Sequence, residues 1–97
     1  MISNKQLQII IDWSGMNLDY TDLNNVDILL QLMDKSSQYK ICKSTTLGRI
    51  ETYDIWVVRT DKSQQDVYNY GLSLKEALQK VLVKLATESI KEVNHGT

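Results

Sequence analysis

The chain predicts an α+β domain, with three helices and a three-stranded antiparallel meander in the order α-α-β-β-β-α. Three observations carry this. Two capping signals, Ser3-x-x-Gln6 and Ser73-x-x-Glu76, each precede apolar residues at helical spacing. Between residues 39 and 70 that spacing gives way to short runs rich in β-branched and aromatic residues. A chain of 97 residues suits a single core, with roughly 65% of its unfolded surface buried.

The first helix begins at Ser3, with Ile2 and Leu7 spaced as a hydrophobic staple. Leu7, Ile10 and Ile11 share one face, Trp13 stands off that stripe, and Gly15 is the stop. A polar linker over 16–21 leads to a second helix over 22–35. Its stripe is Leu23, Val26, Leu29, Leu30 and Met33, with Thr21 or Asp22 as cap and Asp27 favouring the dipole.

Residues 39–44 and 52–60 then read as strands joined by a turn over 46–49. A polar loop over 61–65 precedes a short third strand over 66–70. The last helix opens on the Ser73/Glu76 box after Gly71. Leu74, Ala77, Leu78, Val81, Leu82 and Leu85 form its apolar face. Lys75, Gln79, Lys80, Lys84, Thr87 and Glu88 form the wet face, with Val83 off the stripe. Residues 94–97 are expected to fray. No repeat or second domain is visible, so residues 1–97 read as one compact unit.

The second strand is the informative one. Tyr53, Ile55, Val57 and Arg59 point one way; Asp54, Trp56, Val58 and Thr60 point the other. Both faces are apolar at the centre, where a half-buried sheet would alternate. Either helices cover both faces, giving an α/β/α sandwich, or one face is an exposed aromatic platform. The simpler expectation is the sandwich, with Trp56 in the core. The alternative is a partner-binding surface of Trp56 or Tyr53 with Tyr68 and Tyr70, because Tyr and Trp commonly anchor interfaces.

Composition excludes several function classes. Apolar residues at 42% and charged residues at 24% are those of an ordinary globular chain. Eleven basic and twelve acidic groups give a net charge of −1, which argues against a bulk electrostatic grip on nucleic acid. The lone Cys42 excludes an internal disulfide and a cysteine-cluster metal site. No run approaches the roughly 20 apolar residues of a membrane span, and the apolar stretch 9–11 is too short for a signal-peptide core. A single thiol suits the reducing cytoplasm.

Catalytic constellations are missing from the pattern. The one imidazole, His95, lies in the tail, where near-attack geometry cannot be held. Cys42 has Lys40 on its own face, an arrangement that suits a reactive thiol, but a structural cysteine is the plainer reading. Asp19, Asp22 and Asp27 lack the glycine and terminal glutamate of a calcium loop, and read as caps. No phosphate-binding glycine loop is present. Lys40, Lys43, Arg49 and Arg59, with the aromatic residues, outline a stacking surface for nucleic acid. Glu51, Asp54, Asp61 and Asp66 interrupt it.

Residues 53–58 (YDIWVV), residues 71–78 (GLSLKEAL) and Val81–Leu82 together resemble small phage proteins of the "phage ABA sandwich" type. The shared order is a leading helical region, an aromatic strand, a Gly-x-Ser/Thr-x-x-Glu-Ala joint and a closing helix. The likeness lies in the C-terminal half. It implies a three-layer sandwich and a phage or prophage origin. Many small phage proteins bind and disable a host protein, CRISPR nucleases and other defence effectors among them.

The expected function is therefore a non-catalytic interaction protein that blocks or modulates a host protein, with no cofactor. Its candidate contacts are Tyr53, Trp56, Tyr68, Tyr70, Arg49 and Arg59. The alternatives are a nucleic-acid-binding regulator using the sheet, or an oligomer that binds a small nucleotide between its copies.

Overall fold

The computed structural model describes residues 2–36, 38–45, 50–58 and 67–95, with the backbone alone at residues 36 and 90–95. Helix α1 spans Asn4–Ser14. The Ser3 hydroxyl accepts from the Gln6 N–H at 3.3 Å, and the Gln6 side chain accepts from the Ser3 N–H at 2.9 Å. Two otherwise orphaned donors are thus satisfied reciprocally. Gly15 ends the helix at φ 68°, a left-handed conformation that a side chain would strain.

The helix expected over 22–35 is divided. A single 3-10 turn, Asp22–Asn24, precedes helix α2, Val26–Ser36. The break is Asn25, which is extended (φ −95°, ψ 117°). Its side-chain oxygen accepts from the Asp27 N–H at 2.9 Å and its carbonyl accepts from the Leu29 N–H at 3.1 Å. Asn25 is therefore the cap, in place of Thr21 or Asp22. Asp19 and Asp22 are occupied one step earlier: each carboxylate accepts from the other's backbone N–H at 2.9 Å. Thr21 donates its hydroxyl to Asp19, and this bond chiefly holds the Asp19 carboxyl below its ordinary range.

Strands β1 (Gln38–Thr45), β2 (Glu51–Val58) and β3 (Val67–Gly71) form an antiparallel sheet in the order β1-β2-β3, the expected meander. The turn over 46–49, residues 59–60, the loop over 61–65 and Asp66 lie outside the described residues. Gly71 closes β3 with no room to spare, since a Cβ there would lie 2.7 Å from the Ala77 backbone nitrogen.

Helix α3 spans Leu74–His95. Ser73 caps it, accepting from the Glu76 N–H at 3.2 Å. Glu76 reaches one residue beyond the usual box and accepts from the Leu72 N–H at 3.1 Å. That bond is the main reason its carboxyl sits below its ordinary value, and Lys80, 3.4 Å away, adds to it.

Helix α3 is the spine of the domain. It lies against β3 and β2, and both α1 and α2 pack on it. Ile10, Leu23, Leu29, Met33, Leu78 and Leu82 close the core against Ile55, Val57 and Val67 of the sheet. Gln79, placed on the wet face by spacing, is instead 6% exposed. Its amide donates to the Leu23 carbonyl at 2.8 Å, filling an acceptor that the 3-10 turn leaves open inside the protein.

The helices gather on one side of the sheet, because α1 stacks on α3 and not on the strands. Among the described residues no second helical layer covers the other face, so the layering is helices on one side of the sheet and an open aromatic face on the other.

Candidate functional site: the open sheet face

The period of two along β2 decides which side chains reach this face. Ile55 and Val57 are wholly buried toward the helices. Asp54, Trp56 and Val58 project the other way. Trp56 is half-buried and takes no part in the hydrophobic core, contrary to the simpler expectation.

The burial of Trp56 comes from across the sheet. Trp56 stands opposite Tyr68 in the β2–β3 register, with ring centroids 4.9 Å apart and planes inclined by 32°. Tyr70, two residues along β3, extends the row at 6.4 Å from Tyr68. These offset arrangements suit aromatic quadrupoles. Tyr68 and Tyr70 remain 38% and 51% exposed, and Val58 at the rim is 42% exposed. The result is an apolar shelf of partly exposed rings.

Asp54 fixes the shelf. It is buried, lies opposite Tyr70, and accepts the Tyr68 hydroxyl at 2.8 Å. That bond holds the Tyr68 phenol protonated above its ordinary pKa. On β1, Lys40 stands opposite Trp56 and Cys42 opposite Asp54. Lys40 is exposed, and Cys42 is half-buried.

Helix α3 closes the β3 side. Lys84 donates to the Tyr68 carbonyl at 3.1 Å and Lys80 to the Tyr70 carbonyl at 3.3 Å. The Lys80 ammonium also lies 5.5 Å from the Tyr70 ring centroid. Asn69 accepts the Tyr70 N–H at 2.8 Å. An open groove of about 530 Å³ runs beside these residues, with Ile2 and Gln6 on its far wall.

Of the six sequence candidates, Trp56, Tyr68 and Tyr70 are brought together. Tyr53 is on the opposite face, packed against the core, with Lys43 5.7 Å from its ring centroid. Arg49 and Arg59 lie outside the described residues. Sequence reasoning missed Asp54 as the partner of Tyr68, and Lys80 and Lys84 as the clasp on β3. Only strand register and the seating of α3 reveal those contacts, although the spacing of Lys80 and Lys84 by four does place them on one helix face.

The arrangement can bind by shape and ring contact. Among the described residues there is no group of three or more His, Cys, Asp or Glu placed to hold a metal ion. No described helix is long and apolar enough to cross a membrane. No family model, curated protein or solved structure gives a significant match to this chain. The resemblance to phage ABA-sandwich proteins therefore rests on the sequence motif alone.

Proposed function

We propose that the protein is a non-catalytic binding module whose open sheet face occupies the surface of a partner protein. The observation that carries this reading is the position of Trp56, outside the core and stacked with Tyr68 and Tyr70 on a face that no other described element covers. A large ring held in place by neighbours and left partly in water loses little conformational entropy when a partner covers it. The resemblance adds the context: a phage or mobile-element protein in the host cytoplasm, whose partner is a host protein such as a defence effector.

Affinity capture from bacterial lysates, with and without active defence systems, tests this using the native chain beside Trp56→Ala. The expected result is a stoichiometric partner whose binding falls by about thirtyfold in the variant, the effect of losing a hot-spot anchor. Circular dichroism confirms that the variant remains folded. Equal retention by both chains, or no stoichiometric partner in any lysate, removes the reading.

A second reading is single-stranded nucleic acid stacking on the same shelf. It is favoured by Lys40 standing across from Trp56. A gel shift at about 50 mM salt, where electrostatic attraction is strong, decides it. Retardation by short oligonucleotides supports this reading, and none discards it.

A further inference from the structure

The two edges of the sheet are treated differently. At β3, Asn69 and the two α3 lysines occupy the Tyr70 N–H, the Tyr70 carbonyl and the Tyr68 carbonyl. At β1, nothing comparable is present among the described residues. The strand pairs on one side with β2 and, among the described residues, has no strand on the other. Helix α2 meets it at Tyr39, whose hydroxyl donates to Asp34 at 2.8 Å. Apart from Tyr39 and Cys42, both half-buried, every β1 residue is exposed. An unpaired strand edge of this kind is a template for one more strand.

The side chains indicate what that strand carries. Residues 38–45 (QYKICKST) hold two lysines and no acidic residue. Lys40 and Lys43 project to opposite faces, so an added strand meets one cation on each side. Lys43 has an exposed ion pair with Glu51 of β2 at 3.2 Å, whereas Lys40 has no ion pair among the described residues. Ile41, opposite Ile55 in the register, is 36% exposed and presents an apolar contact between them. A second copy of β1 would add two more lysines and no compensating acid. Like charge therefore works against self-pairing while favouring an acidic strand.

We infer that the β1 edge accepts an extended acidic segment of a partner protein as a fourth antiparallel strand, with carboxylates beside Lys40 and Lys43 and an apolar residue beside Ile41. This goes beyond the aromatic shelf and does not depend on it.

The test uses blocked synthetic peptides the length of β1, 8 residues, rich in Thr and Val. One carries two Glu at the positions facing Lys40 and Lys43. A second carries Lys there, and a third is the Glu peptide N-methylated at alternate amides. Amide hydrogen exchange and chemical shifts are read on the native protein at up to about 1 mM peptide. The expected result is protection confined to β1 by the Glu peptide, with the Lys and N-methylated peptides inactive. Binding should weaken about fivefold in Lys40→Glu, the effect of exchanging an exposed attraction for repulsion. Trp56→Ala should bind the peptide as the native chain does, which separates this inference from the shelf reading. No protection of β1, equal binding of the Lys peptide, or a dimer formed through β1 would overturn it.

Discussion

One strand, β2, has two sides with opposite fates. Toward the helices, Ile55 and Val57 are sealed within the core. Away from them, Trp56 rests against Tyr68 over the buried Asp54, with Val58 at the rim. Both sides are apolar in the sequence, so hydrophobicity does not separate them. They differ in what lies opposite. Leu78 and Leu82 from the spine helix α3 belong to the cluster around Ile55 and Val57. Among the described residues the other side has only its neighbouring strands, and it covers itself with its own rings. An apolar face that nothing covers is stabilised less by burial and remains available to a partner.

The sharpest way to break this contrast is to truncate each side in turn. Ile55→Ala should cost about 2–5 kcal/mol, because the cavity forms in close-packed surroundings. Trp56→Ala removes a far larger side chain, yet should cost only about 1–2 kcal/mol, since part of the ring is already in water and the ring contact is modest. Urea unfolding of both variants measures the difference. A larger loss at Trp56 than at Ile55 would mean that the open face is part of the core.

A smaller effect sharpens the covered side. Gln79→Leu is close in volume but leaves the Leu23 carbonyl without its donor inside the protein. The expected loss is about 1–3 kcal/mol, although the new side chain is the more hydrophobic. Thermal unfolding reads it, and unchanged stability would assign the wet-face role to Gln79 after all.

The smallest effect lies at the rim, where Glu76 joins α3 to the end of β3. Its carboxyl is held below its ordinary value by the Leu72 N–H, so its ionised form favours the folded state. That contribution is present above the unfolded-state pKa and fades as pH falls through the lowered folded value. The Tm difference between the native chain and Glu76→Gln should therefore shrink from about pH 7 to about pH 3. A constant difference would show that the charge has no part in it.

The helix starts were legible because capping is local. Ser3 with Gln6, and Ser73 ahead of α3, act within a few residues of the bonds they make. The break before α2 was less so. An asparagine at position 25 can sit in a helix or cap one, and the decision falls to Asn25 because Asp19 and Asp22 are engaged with each other. Gln79 departs from its spacing for a related reason. Spacing assigned it to the solvent side, and the need of a distant carbonyl drew it inward. At the candidate site, Trp56, Tyr68 and Tyr70 are legible as aromatic residues at strand spacing, while Tyr53 belongs on the other side.

By itself the sequence determined the element types and their order, where α1 and α3 begin, and the absence of familiar catalytic spacings. Those depend on interactions within a few residues along the chain. The tertiary structure decided which face of β2 is covered, which rings meet across strands, and which sheet edge is guarded. Each of these depends on where α3 lies relative to the sheet, and on a strand register that brings residues far apart in sequence into contact.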